Sequence, residues 1–230
     1  MKKLLLLFVC VSIVFADEPS ISINGQLHRD FDREIYTSTI EILGCDNWGS
    51  TYFFTDFDFD SAGQTVSYFE LSRNLLMQRT KLGGLNLSLQ FNDGVAAFDN
   101  VAGQKSIPRT WLAGPALSDL KLGPVTCELQ VLYRQELASD PGWQITAVWF
   151  WPVMKTPLEF LGYFDWNSNE YGHNPTSFQA EPQIQYRYEH VALGSEIEIS
   201  RNFQGAFTKD DGFEFRKWYV HPTLFLRYDL

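Results

Sequence analysis

The sequence has few charged residues and little cysteine, and it has no long apolar stretch after its amino-terminal segment. Charged side chains make up 20% of the 230 residues, whereas aromatic side chains make up 16%. Soluble domains usually carry about a quarter charged residues. Beyond the amino terminus, no stretch approaches the length of a membrane-spanning helix or shows a convincing 3.6-residue period. These absences argue against helical membrane spans but leave room for a β-barrel, whose strands mix apolar and polar residues.

The amino terminus has the features of an export signal. Two lysines precede an apolar run over residues 4–15, which is too short for a stable spanning helix. Val14 and Ala16 occupy the positions where a signal peptidase requires small residues. We therefore predict a signal peptide over residues 1–16 and a mature domain over residues 17–230. The alternative is a short anchor that is not cleaved.

Basic residues are scarce. The chain has 18 basic and 28 acidic residues, and loss of the two signal lysines leaves 16 basic residues and a net charge of −12. Such a surface repels nucleic acid, so this class of partner is excluded.

Of the two mature cysteines, Cys127 falls on an apolar strand face and Cys45 in a predicted turn. We expect two unpaired thiols, and we expect neither a metal site nor a cofactor.

The clearest positive signal is an alternation of side chains over residues 48–60. Successive side chains of a strand point to opposite faces. One face is largely aromatic and the other largely acidic, namely Phe53, Thr55, Phe57 and Phe59 against Tyr52, Phe54, Asp56, Asp58 and Asp60. A transmembrane barrel strand needs this division, because its apolar face meets lipid and its polar face lines the lumen.

The same alternation recurs in twelve runs separated by turn residues. The runs cover residues 23–30, 34–43, 49–60, 65–77, 85–95, 109–118, 124–135, 143–154, 158–167, 176–189, 191–200 and 213–230. We therefore predict an all-β fold, a single antiparallel transmembrane β-barrel of about 12 strands.

An even strand count places both termini on one side of a membrane. With the amino end in the periplasm, the long connections 96–108, 169–174 and 202–211 lie outside the cell, and the connections at the periplasmic side are mostly short. Outer-membrane barrels have this asymmetry. We therefore expect a protein of the Gram-negative outer membrane, in contact with its lipid and inserted by the barrel-assembly machinery.

Five motifs carry a resemblance to a known family: Gln26-Leu27-His28, Tyr36-Thr37-Ser38-Thr39-Ile40-Glu41, residues 48–58, Phe150-Trp151-Pro152-Val153 and Gly162-Tyr163-Phe164-Asp165-Trp166. Across nearly the whole mature chain, the sequence resembles the Tsx-like nucleoside channels of bacterial outer membranes. It is most similar to their shorter, uncharacterised relatives in a domain-of-unknown-function family.

This resemblance implies a narrow twelve-stranded channel that passes nucleosides. The matching lining positions are Glu41, Tyr52, Phe54, Asp56 and Asp165. Phe54 stands where the channels carry a more polar aromatic residue, so a hydroxyl donor is lost there.

The alternation assigns many more acidic than basic side chains to the lumen. The acids are Glu41, Asp56, Asp58, Glu70, Glu128, Asp165, Glu181, Glu196 and Glu198, and the bases are Arg134, Arg187 and Arg227. Rings of carboxylates favour cations and exclude anions. A neutral nucleoside is also compatible, since its base can stack on an aromatic ring and its ribose can donate to a carboxylate. We therefore predict a narrow channel for small polar or cationic solutes, with nucleosides as the finer prediction.

Two alternatives remain at this point. In the first, the acids and arginines form a structural network that fills a non-conducting lumen, as small barrels often do. In the second, the barrel is a lipid-modifying enzyme, which needs a histidine that activates a serine. His28 and His221 fall on the first and last strands, which adjoin in a closed barrel, but no serine and carboxylate are evident around them. We therefore predict that the protein is not an enzyme.

Overall fold

The computed structural model describes residues 19–61, 63–97, 104–168, 176–203, 214 and 216–230, and their regular structure is a 13-stranded sheet. Its strands are β1 (Ser20–Asp30), β2 (Tyr36–Asp46), β3 (Gly49–Asp60), β4 (Gly63–Arg79), β5 (Gly84–Ala97), β6 (Gln104–Leu122), β7 (Val125–Glu136), β8 (Gly142–Pro152), β9 (Leu158–Ser168), β10 (Thr176–Ala180), β11 (Gln183–Tyr188), β12 (Val191–Arg201) and β13 (Trp218–Asp229). In this described part, no helix has the length and apolarity that a membrane crossing needs. The predicted signal peptide, residues 1–16, lies outside the described residues.

The sheet closes on itself as an antiparallel barrel with twelve strand positions. Each strand except β10 pairs with the next along the chain, and β13 pairs with both β12 and β1. Strands β10 and β11 occupy one position, because both pair with β9 on one side and with β12 on the other. The prediction of an all-β barrel of about 12 strands is confirmed.

One predicted strand, the run 176–189, is broken into β10 and β11. The break falls at Glu181 and Pro182, and a proline has no N–H to donate to a neighbouring strand. The ladder continues around it, because Glu181 N–H donates to Tyr163 O (3.0 Å) and Ile197 N–H donates to Pro182 O (3.1 Å). The break therefore bends one strand without opening the barrel.

Polar side chains point into the barrel and apolar side chains point out of it. In β13, buried and exposed residues alternate along the whole strand. The outward residues Leu224, Leu226 and Tyr228 are 49%, 51% and 52% exposed, whereas the inward Thr223 is 2% exposed. This arrangement reverses that of a water-soluble domain and suits an outer surface in contact with lipid.

The start of β1 and the end of β13 lie at one end of the barrel, called here the terminal end, and the other is called the loop end. The terminal end carries the connections 47–48, 80–83, 123–124, 153–157 and 189–190, and the loop end carries 31–35, 61–62, 98–103, 137–141, 169–175 and 202–217. The longest connections gather at the loop end, in agreement with the predicted asymmetry.

Several predicted boundaries were wrong. Strands β4, β5 and β6 extend beyond the predicted runs, so the connection predicted over 96–108 shrinks to 98–103 and the turn predicted over 78–84 shrinks to 80–83. Cys45 lies in β2 with its side chain buried, not in a turn. Backbone pairing between strands therefore extends beyond the residues in which polar and apolar side chains alternate. Cys45 and Cys127 do not form a disulfide with each other.

Gly194 makes room for an aromatic ring inside the barrel. It pairs with Phe225 on β13, and a Cβ atom at Gly194 would lie 2.3 Å from the Phe225 ring and 2.7 Å from Ile184 O. Because the backbone oxygen cannot move aside as a flexible side chain can, any larger residue at Gly194 must distort the sheet.

Gly194→Val should lower the free energy of unfolding by about 1–3 kcal/mol, because it overpacks this site. Urea unfolding of the protein refolded in lipid vesicles measures the loss. Gly25→Val is the matched control, since a Cβ atom at Gly25 would have open space for 4 Å around it. Equal losses in the two variants would contradict the role given to Gly194.

Candidate functional site

The predicted lining residues face the lumen. Those with an exposed fraction of 8% or less are Glu41, Tyr52, Phe54, Asp56, Asp58, Glu70, Asp165, Glu181, Glu196, Glu198 and Arg227. Arg187 also belongs to this face, but it lies near the terminal end and is 26% exposed. The period of two in a strand therefore predicted the direction of each of these side chains.

Side chains fill the lumen closely in this structure. Ser88, Gln130, Thr146, Tyr163 and Ser200 have an exposed fraction of 0%, so a water-sized probe does not reach them. They belong to five different strands, β5, β7, β8, β9 and β12. The lumen around these residues is therefore closed in this conformation.

Hydrogen bonds cross the lumen between strands that are not neighbours. Asn74 on β4 donates to Glu128 on β7 (2.9 Å), and Gln90 on β5 donates to Gln130 on β7 (2.6 Å). The first bond spans β5 and β6, and the second spans β6 alone. On β6, Gly114 lies close to the backbone of β7, where a Cβ atom would lie 2.2 Å from Val131 O.

Three carboxylates that face the lumen are held by uncharged donors. Glu70 accepts hydrogen bonds from Tyr68 Oη (2.5 Å) and Asn92 Nδ2 (3.0 Å). Glu128 accepts from the amides of Asn74 (2.9 Å) and Gln130 (2.5 Å). The third carboxylate, on β9, accepts from the threonine hydroxyl opposite it on β8. Within the described residues, no lysine or arginine is in salt-bridge contact with any of the three.

An aromatic cluster lies beside two of the lining carboxylates. The ring of Phe54 lies 5.9 Å from that of Tyr52 and 6.1 Å from that of Tyr68. Tyr52 Oη donates to Glu41 (2.9 Å), and Tyr68 Oη donates to Glu70. Aromatic rings and carboxylates therefore stand next to each other on this side of the lumen.

A chain of ion pairs lines the terminal end of the lumen. Arg187 Nε lies 3.1 Å from Glu159, and the same guanidinium pairs with Asp229. Arg227 lies 2.8 Å from Asp229 and 3.7 Å from Glu41. This network joins β9, β11, β13 and β2. Glu159 was not among the predicted lining residues.

A second network closes the loop end, and the sequence analysis missed its central residue. Arg33, in the turn between β1 and β2, points into the lumen with an exposed fraction of 4%. It pairs with Asp30 and, at 2.8 Å, with Glu198. Asp30 Oδ1 also accepts the backbone N–H groups of Asp32 (2.9 Å) and Arg33 (2.8 Å). The sequence did offer a signal, since Asp30 faces inward and Arg33 follows three residues later.

The two histidines on the closing strands have different partners. His28 stacks on Phe225 at 5.1 Å and contacts Gln26 at 3.0 Å, whereas His221 Nδ1 lies 2.6 Å from Asp32. The pairing register sets His28 opposite Phe225, four positions along β13 from His221. The described residues contain no cluster of three or more histidine, cysteine or acidic side chains that could hold a metal ion.

Comparison with known proteins places this barrel in a family. The profile of the family described as "Domain of unknown function (DUF5020)" matches residues 23–230. The chain belongs to this family. The predicted membership of a domain-of-unknown-function family is therefore confirmed, whereas the likeness to nucleoside channels remains a prediction. No functionally curated protein matches the sequence significantly.

Solved structures share the architecture of this DUF5020 barrel. The KdgM porin matches with a TM-score of 0.54 and 7% identity, over 90% of this chain and 98% of the porin. The NanC porin matches with a TM-score of 0.55 and 9% identity, over 89% of this chain and 97% of that porin. At these identities the likeness shows the fold. Both structures are described as porins, not as enzymes.

Arg33→Met should lower the free energy of unfolding by about 3–5 kcal/mol, because it leaves the carboxylates of Asp30 and Glu198 buried without their guanidinium. Arg109→Met is the matched control. Arg109 is 48% exposed and pairs with Asp93 at 2.9 Å, so its loss should cost about 0–1 kcal/mol. Urea unfolding in lipid vesicles compares the two, and a loss at Arg33 no larger than that at Arg109 would contradict the buried network.

Proposed function

We propose that this protein is a non-enzymatic outer-membrane channel for small cationic or neutral polar solutes, and that the structure represents its closed conformation. The observation that carries the proposal is the charge imbalance of the lumen. Glu70, Glu128 and Asp165 face the lumen, and uncharged donors hold them.

A dry lumen is a poor environment for such groups. A buried carboxylate is stable only when a cation or several hydrogen bonds compensate for its lost hydration. A barrel filled purely for structural reasons has no need for excess acid in its lumen. Water and small cations that enter when the side chains move apart would supply the compensation, and the same carboxylates would repel anions.

The charge of the lumen also separates this protein from one of its structural relatives. One solved structure is described as the KdgM porin in complex with disordered oligogalacturonate. An oligogalacturonate is a polyanion, because each of its sugar units carries a carboxylate. The acidic lumen of the present barrel opposes such a ligand, so we propose a different class of solute here.

Location and orientation complete the proposal. We place the barrel in the outer membrane, with the terminal end in the periplasm and the loop end outside. The apolar outer face and the longer connections at the loop end support this arrangement. Insertion by the barrel-assembly machinery follows from the same placement.

A second candidate function is a barrel that conducts nothing and serves a structural role. Its support is the close packing of the lumen, where Gln130 and Tyr163 have an exposed fraction of 0%. Single-channel recording separates the candidates, since a permanently filled barrel gives no current.

Purified, folded protein in planar bilayers should conduct and prefer potassium to chloride. Glu70→Gln and Glu128→Gln should each move the reversal potential in a salt gradient toward the value of a nonselective pore, because each removes a carboxylate that faces the lumen. Asp93→Asn is the matched control, since this aspartate lies away from the lumen and pairs with Arg109. Absence of current in all preparations would favour the structural candidate, and current without cation preference would refute the role of the carboxylates.

Nucleosides are the finer proposal for the solute. If a base stacks in the aromatic cluster, adenosine should reduce the current, and Phe54→Ala should weaken this block by about 1–3 kcal/mol. Tyr228→Ala is the control, because Tyr228 is 52% exposed on the outer face. Current that adenosine leaves unchanged would point to a general cation pore.

A further inference from the structure

The outer face of the barrel carries one row in which a charged side chain stands among aromatic ones. Strand pairing sets Trp166 opposite Phe178, Phe178 opposite Arg201, and Arg201 opposite Trp218. The four residues therefore lie in line across adjacent strands at the loop end. The guanidinium carbon of Arg201 lies 5.5 Å from the centre of the Trp218 ring, and Phe178 meets the same ring edge-on at 5.7 Å.

This row borders a pocket of about 550 Å³, which Phe164 and Arg216 also line. Phe164 stacks on Phe178 with ring centres 6.0 Å apart. Two guanidinium groups thus face the pocket, and its described lining includes no carboxylate. The pocket combines an aromatic wall with a cationic rim.

The arginines are held in place, and one of them has an unused donor. Asn202 fixes the chain beside Arg201, because its Nδ2 donates to Thr176 O (2.9 Å) and its Oδ1 accepts the backbone N–H of Arg216 (2.6 Å). Arg201 Nε is buried and has no hydrogen-bond acceptor among the described residues. A buried donor without an acceptor is unfavourable, so a shift of the Arg201 side chain that brings Nε to a ligand oxygen would stabilise the site.

We infer that this pocket binds a phosphate-bearing, acylated membrane lipid. Guanidinium groups bind phosphate strongly, often through two parallel hydrogen bonds. Acyl chains pack against the aromatic wall, and tryptophan side chains favour the depth at which headgroups meet hydrocarbon. The row lies at the last residue of β12, which suits this depth. The inference requires that the barrel lie in a membrane and does not depend on whether its lumen conducts.

Native mass spectrometry of detergent-purified protein tests the site, with lipid A, which carries phosphate on an acylated sugar, as the probe. The wild-type protein should bind lipid A saturably, with one tight site. Arg201→Gln should weaken this site at least tenfold, and Arg216→Gln should also weaken it, which keeps the test valid if either variant folds poorly. Heat-modifiable migration on gels establishes that each variant is folded.

Arg29→Gln is the matched control, because Arg29 also lies on the outer face near the loop end, with its guanidinium 4.6 Å from the Tyr36 ring. This variant should bind lipid A as the wild type does. Equal weakening in the Arg29 and Arg201 variants would overturn the site in favour of a general basic belt. Equally tight binding of diacylglycerol, which has acyl chains but no phosphate, or of inorganic phosphate, which has no acyl chain, would also overturn the assignment.

Discussion

The pairing of the first strand with the last is the interaction on which the rest of this structure depends. The register runs from Asn24 opposite Asp229 to Asp30 opposite Thr223. In a membrane, two open strand edges would expose unpaired N–H and C=O groups to hydrocarbon, and each such group costs several kcal/mol. The pairing of β1 with β13 also brings together residues from the two ends of the chain. Arg227 reaches Glu41 on β2 only because β13 lies beside β1.

Closure of the sheet creates a conflict between packing and charge inside it. Hydrogen bonds that pass over β6 tie β4 and β5 to β7, and Gln130 has no accessible surface. The same interior contains Glu70 and Glu128, which uncharged amides and hydroxyls hold. Amide side chains are suited to such a situation, because they can bond to one another when the lumen is closed and to water when it is open. A lumen rich in asparagine and glutamine can therefore change between a closed and an open state without moving a charged side chain into or out of a buried position.

The direction of the side chains was predictable from the sequence, whereas distances across the lumen were not. A strand has a period of two, so one correct assignment in β3 fixes Tyr52, Phe54, Asp56 and Asp58 on the inner face. The distance from Asn74 to Glu128 depends on the number, tilt and stagger of all the strands, which no single run contains. The predicted strand boundaries were wrong for a related reason, because backbone pairing continues beyond the residues whose side chains alternate. Arg33 escaped prediction because a turn has no period that assigns its side chains to a face.

Arg33 also links the charge of the lumen to its closure. Its guanidinium occupies the acidic loop end, in contact with Asp30 and Glu198, which is the position a cation entering from that end would take. A planar group with five N–H donors satisfies several carboxylate oxygens at once. In the proposed channel, a cation that enters from the loop end would take over the contacts of Arg33 with these carboxylates, whereas an anion could not. The proposal thus gives one residue two roles, contact with the acidic loop end and selection of the entering solute, and both depend on the excess of carboxylates that the barrel encloses.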